Sequence, residues 1–245
     1  MDKFGQNELN EISSDHVLEF LNDITDGRKQ RTRKTRFSHL STFFNFISSN
    51  LDRNFQNPCE IPMMKNLFKI KSVTHFDIIE KDTIDEVIFR VTKPRNRLIL
   101  ELMARGGMRI GEVLALTLAD IHDRKLVLKE PKSGKEFEFV FIPQKVADRL
   151  KEFAKKTCES SQSKIFPITY ETARVMVKKS GAIVGIKLRP HDLRRHAATY
   201  ASRSGVPIEI VSKIILRHSN LSTTQRYLGK ISDTEAMRWI EHLYA

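Results

Sequence analysis

Apolar residues recur at intervals of three and four along almost the whole chain, and one stretch, 125–142, switches to alternation. A period near 3.6 specifies helices with one buried face, and a period of two specifies strands. The chain is thereby confined to a mainly α fold with a small antiparallel β-sheet, an α+β architecture. The alternating runs are Lys125-Leu-Val-Leu-Lys129 and Glu136-Phe-Glu-Phe-Val-Phe-Ile142. They flank Pro131-Lys132-Ser133-Gly134-Lys135, which reads as a glycine-containing hairpin turn.

The first third reads as helical. Ser13 or Ser14 caps a helix with the stripe Val17, Leu18, Leu21 and Ile24, ended at Asp26-Gly27. A dense basic run, Arg28, Arg31, Arg33, Lys34 and Arg36, then opens a second helix with its core face at Leu40, Phe43, Phe44 and Ile47. Such a run is either a solvated face or a phosphate contact. Pro58, Pro62 and residues 63–71 are expected to connect two domains, a small helical one over 1–68 and a larger one over 75–245.

In the larger domain, Thr83-Ile-Asp-Glu86 is a capping box opening a helix through Phe89. Arg95–Arg105 is a second helix, stopped by Gly106-Gly107. Arg109 begins a third, with Val113, Leu114 and Leu116 inward. Helices are expected at about 144–156, 170–181, 191–203 and 207–216. Ser222-x-x-Gln225 caps a short helix carrying Tyr227, and Ser232-Asp-Thr-Glu235 caps a last one.

Forty-two Lys and Arg against thirty Asp and Glu leave a net charge of +12. That excess points to a polyanion, nucleic acid before an anionic membrane surface. Cys59 and Cys158 are isolated, which excludes a disulfide framework and zinc-type spacing and fits a reducing cytosol. No apolar run approaches the roughly 18 residues that span a bilayer. The first eight residues lack a signal-peptide layout. A cytoplasmic protein is expected.

Four polar clusters follow in order: Arg109 with Glu112, His191 with Arg194, Leu216-Arg217-His218, and Thr-Thr-Gln-Arg-Tyr227. Guanidiniums neutralise a phosphate, imidazoles move protons or hydrogen-bond its oxygens, and a phenol is a nucleophile. Arg109 and Glu112 lie one helical turn apart, so they form either a simple ion pair or a phosphate grip oriented by a carboxylate. His191 and Arg194 share one face of a helix opening after Pro190, whose N-terminus favours anions. Taken singly, His191 also reads as a cap and Tyr227 as a half-buried core residue.

In order and spacing these residues resemble the tyrosine recombinase (phage integrase, Xer-like) family, over nearly the whole chain. The resemblance implies a helical core-binding (SAM-like) DNA-binding domain over 1–68, lacking its first helix and with no separate arm-site domain before it. A complete catalytic domain follows over 75–245. It implies that Tyr227 attacks a phosphodiester to form a 3′-phosphotyrosyl link and free a 5′-hydroxyl, with neither metal nor cofactor. Arg109 and Arg194 hold the non-bridging oxygens, and His218 adds a hydrogen bond. His191 assists at the tyrosine, and a hairpin lysine protonates the departing oxygen. Lys132 matches that lysine; a proline precedes it and acidic and aromatic residues follow, so Lys135 stays open. The implied partners are double-stranded DNA with a specific core site and a homo-tetramer held by the C-terminal helix with Ala236, Met237, Trp239, Ile240 and Leu243. Alternatively that helix packs on its own domain. A type IB topoisomerase-like enzyme and a non-catalytic DNA-binding protein on the same fold are the competing readings.

Overall fold

The computed structural model describes residues 8–70, 78–129, 136–225, 228 and 233–244, without the side chains of Glu235, Leu243 and Tyr244. It divides into two compact units, Met1–Thr74 and His75–Ala245.

In the first unit, Ser13 caps α1 (Ser14–Ile24) by accepting from the His16 amide at 3.3 Å. Val17 and Leu21 are buried, but Ile24 at the frayed end is exposed. Helix α2 (Gln30–Asn50) buries Phe37, Phe44 and Ile47 and leaves Phe43 outside. Its core face is therefore rotated towards Phe37 from the expected one. The stretch expected as a connection instead completes this core. Pro62 opens α3 (Pro62–Leu67), and Phe55, Cys59, Met64 and Phe68 are buried, with Phe68 stacked on Phe37 at 4.8 Å. Two amphipathic helices cannot cover both of their apolar stripes, so the following residues are recruited.

In the second unit, α4 (Lys81–Arg90) starts two residues before the expected capping box, so Thr83 lies inside it. Glu86 pairs with Arg90 and Lys81 with Asp85, each one turn apart. Those pairs support the extra residues. Helix α5 (Pro94–Gly106) is buried over most of its circumference, with Leu98 to Ala104 inaccessible. Gly107 caps it at φ +61, and α6 (Ile110–Ala115) follows.

The sheet has three antiparallel strands in the order β1 (Ile121–His122), β2 (Lys125–Lys129), β3 (Phe137–Phe141). The two-residue β1 carries no sequence signal. Register sets Leu126 against Val140 and Leu128 against Glu138 on the buried face. Phe137, Phe139 and Phe141 consequently face outward, with the Lys125 ammonium 3.6 Å from the Phe139 ring centre. Parity admits one solution per strand. Here it buries an acid in place of three aromatics. The turn with Lys132 and Lys135 lies outside the described residues.

Helices α7 (Gln144–Thr157), α8 (Tyr170–Ala182) and α9 (Pro190–Arg203) match expectation closely. The expected helix over 207–216 is a single α turn, α10 (Ile208–Ile210), running into a π-helix, Val211–Ile215. Helix α11 (Leu221–Gln225) is capped by Asn220, whose side-chain Oδ1 accepts from the Ser222 amide at 2.8 Å, so Ser222 is internal. Helix α12 (Asp233–Tyr244) closes the chain, and its expected Ser232 cap lies outside the described residues. Met237 and Ile240 are exposed, while the Trp239 ring lies against Gly205. No helix among the described residues is long and apolar enough to cross a membrane.

Candidate active site

Arg109 occupies the N-cap of α6, and Glu112 at the third helical position turns back towards it. One Glu112 oxygen accepts from the Arg109 backbone amide at 2.8 Å and the other pairs with the Arg109 guanidinium. Glu112 thus holds the Arg109 backbone and side chain together, which a loose surface pair does not do. Burial alone would push the Glu112 carboxyl up. Arg217 and the donors of Arg109 outweigh it and hold the group below its ordinary value.

Arg194 projects from α9 and is only 1 % exposed. Its guanidinium donates to the carbonyls of Gly107 and Leu216, so it spans the α5–α6 turn and the end of the π-helix. Gly107 makes this junction possible. A Cβ there would lie 2.7 Å from the Ile215 carbonyl oxygen, and the positive φ is one that glycine adopts freely. The π-helix turns the carbonyls of Ile215 and Leu216 towards the arginines, a recurrent use of that geometry at functional sites.

His191 stands exposed at the N-terminus of α9. Partial burial of the ring, then the positive charges of Arg195 and Arg194, hold its pKa below the ordinary imidazole value. His218 is half-buried, and its pKa is lowered to about 4 by burial first and then by Arg194, Arg109 and Arg217. At neutral pH the His218 ring is uncharged. Its Nδ1 is 2.9 Å from the Thr224 hydroxyl, which is 2.9 Å from the Ser212 hydroxyl on the π-helix. With Thr224 donating to Ser212, Nδ1 carries the proton and Nε2 is an acceptor. With both hydroxyls reversed, Nε2 carries the proton and donates.

Arg109, Glu112, His191 and Arg194 line one cleft of about 600 Å³. Its floor includes the end of β2, where Lys129 pairs at 2.9 Å with the buried Asp120, itself bonded to Thr117. This anchors the base of the hairpin. The cleft also holds Tyr170, a phenol 55 % exposed at the start of α8 that the sequence reading passed over. Tyr227, like Lys132, lies outside the described residues.

Two further residues were given no role by the sequence reading. Arg217 is buried, and Glu138 reaches it from β3 at 3.5 Å. The signal for Arg217 was its place directly before His218. For Glu138 it was an acid inside an apolar strand. Of the basic run on the other unit, Arg28, Arg31, Lys34 and Arg36 are exposed, whereas Arg33 bonds Asn22 at 2.7 Å and lies over the Phe68 ring.

Residues 78–232 match the phage integrase family model. The chain belongs to that family, the tyrosine recombinases. Among curated relatives, a tyrosine recombinase of Pseudothermotoga lettingae is 29% identical over 237 residues, 90% of this chain and 79% of that protein. Tyrosine recombinase XerA of Saccharolobus solfataricus is 29% identical over 165 residues, covering 66% of this chain and 54% of the relative. Among solved structures, the Tn1549 transposon integrase in complex with transposon right end DNA superposes with a TM-score of 0.74 at 15% identity, over 100% of this chain and 89% of that one. XerH recombinase bound to its difH substrate gives 0.74 at 20% identity, over 98% and 72%. Membership in the family accounts for the mainly helical fold with its three-stranded sheet. It makes the chain an enzyme of the tyrosine recombinase type.

Proposed function

We propose that the chain is a site-specific recombinase that cuts and rejoins double-stranded DNA through a 3′-phosphotyrosyl intermediate, acting on the cytoplasmic DNA of its host. The observation that carries this reading is the convergence of Arg109, His191 and Arg194 on one cleft, with His218 close enough for the charges of Arg194 and Arg109 to lower its pKa.

Phosphodiester cleavage adds negative charge to the non-bridging oxygens as the phosphorus becomes five-coordinate. Arg109, oriented by Glu112, and Arg194, fixed by two carbonyls, present that charge with cations whose positions are set beforehand. His218 donates a hydrogen bond to one oxygen in the tautomer with the proton on Nε2. A phenol ordinarily has a pKa near 10, so Tyr227 needs its proton drawn off before it attacks, and His191, held below the ordinary imidazole value, is the acceptor. Lys132 protonates the departing 5′-oxygen. The phosphotyrosine retains the energy of the broken linkage, and a 5′-hydroxyl from a partner duplex reverses the step. Support for Tyr227 comes from α11, whose Thr224, three residues before it, is bonded to His218.

The unit over 1–68 contacts phosphates with Arg28, Arg31, Lys34 and Arg36, giving steeply salt-dependent binding. Met237 and Ile240, exposed on α12, supply the contact through which four copies assemble on two sites. A nicked suicide duplex, selected from a randomised pool by binding to the chain, tests the reading. It yields a protein–DNA adduct that survives SDS in wild type and not in Tyr227→Phe. An adduct persisting in that variant, or no adduct in wild type, refutes it.

A further inference from the structure

We propose that Arg217 is a positioning residue for DNA cleavage, holding both phosphate-binding arginines in place through acceptors that it shares with each of them. The inference rests on the function proposed above and assigns no substrate contact to Arg217 itself, whose side chain is only 3% exposed.

Its guanidinium is spent on the protein. It donates to Glu112 at 2.7 Å, to the Ile215 carbonyl at 2.8 Å and to the Gly107 carbonyl at 3.3 Å, and Glu138 lies at 3.5 Å. Two of these acceptors are held in common with the site. Glu112 takes Arg109 on one oxygen and Arg217 on the other, which leaves its carboxylate a single orientation. The Gly107 carbonyl accepts from Arg194 as well as from Arg217. Through Glu138 the same side chain ties the α5–α6 turn and the π-helix to β3, the strand that leads out of the hairpin.

The backbone supports this reading. Arg217 has φ 52, a left-handed conformation that residues with a side chain seldom adopt. Non-glycine residues persist there where the surroundings over-determine them, and such positions cluster at functional sites. Three acceptors and the Glu138 ion pair around one planar fork provide that determination. Lysine offers a single point charge and cannot reproduce the fork.

Among the described residues, the charged groups around Glu112 are Arg109 at the start of its own helix, Arg217 with Glu138 behind it, and His191, Arg194, Asp120 and Lys129 along the cleft. Removing Arg217 therefore takes away one of the two cations that keep Glu112 ionised. The test uses the full chain on the selected suicide duplex, with Arg217→Met, Arg217→Lys and Tyr227→Phe. Duplex affinity, cooperative melting and the single-turnover adduct rate are measured from about pH 5.5 to about pH 9.

Arg217→Met is expected to bind DNA as wild type does and to form the adduct on the order of tenfold to a hundredfold more slowly. The acid limb of its rate profile moves to higher pH, a change that loss of folded protein alone does not produce. Arg217→Lys keeps the charge, so its limb stays in place while its rate still falls. A wild-type rate and an unmoved limb in Arg217→Met overturn the inference. Should that variant fail to melt cooperatively, a wild-type rate in Arg217→Lys overturns it instead. No adduct in wild type, or an adduct in Tyr227→Phe, shows separately that the underlying function is wrong and removes the inference with it.

Discussion

Replacing Gly107 with alanine puts a methyl group where the α5–α6 turn meets the π-helix. The new Cβ would stand 2.7 Å from the Ile215 carbonyl oxygen and 2.8 Å from its Cγ2, at a backbone φ of +61. The left-handed conformation costs an L-residue with a side chain about 1–2 kcal/mol. To restore ordinary contact near 3.4 Å, the π-helix backbone must retreat by about 0.7 Å. Overpacking of that kind adds about 1–3 kcal/mol. The total, about 2–5 kcal/mol, corresponds to a fall in Tm of roughly 5–15 °C for a unit of this size. Gly106→Ala is the control. There the added Cβ meets only side chains, the Ile142 and Val140 methyls at 3.0 and 3.3 Å and the Met108 Cγ at 3.6 Å, with no positive φ. Its loss should be smaller, about 1 kcal/mol. Scanning calorimetry of the two variants decides the matter. Gly107→Ala melting with wild type, or above Gly106→Ala, would refute the close packing from which the Arg194 carbonyl cage is built.

Three other outcomes are expected. Thr224→Val keeps the shape of a fully buried side chain and deletes the hydroxyl between His218 and Ser212. It should cost about 1–3 kcal/mol and change the His218 tautomer seen in imidazole nitrogen NMR, and an unaltered tautomer contradicts the relay. His218 has its pKa lowered from 6.5 to about 4, so the unfolded chain binds its proton first on acidification. The associated stability is fully present above about pH 6.5 and drains away towards pH 4, by at most about 1.4 kcal/mol per pH unit and less for a half-buried ring. Urea midpoints at successive pH values should flatten over this window in His218→Asn, and an identical slope would count against the shift. Met237→Asp with Ile240→Asp, both at exposed positions of α12, should leave Tm and single-duplex binding intact while abolishing paired-duplex complexes in gel shifts. Equal loss of both would argue for a purely internal role of that helix.

Most helices were legible because their signals are local. Prolines open α5 and α9, a serine caps α1, and Gly107 ends α5 where the chain must turn left-handed. The charge clusters were legible in the same way, since His191 and Arg194 need only one helical turn to share a face. What sequence reading missed depends on distant partners. Phe68 belongs to a core because Phe37 lies open to it, and Glu138 points inward because Leu128 fixes its register. Val211–Ile215 has ordinary helical periodicity. Its π geometry answers to arginine donors arriving from elsewhere in the fold. Arg217 was visible in the motif, but its role appears only when Glu112 and Glu138 are brought to it from 105 and 79 residues away. Tyr170 entered the cleft without any motif.

The most direct measurement locates the DNA on the protein. Trapped adduct is digested with protease and nuclease, and the modified peptide is sequenced by mass spectrometry. A nucleotide joined through its 3′-phosphate to the phenol of Tyr227, with a free 5′-hydroxyl on the other strand end, is the predicted result. A nucleotide on Tyr170, or attachment through a 5′-phosphate, would contradict it.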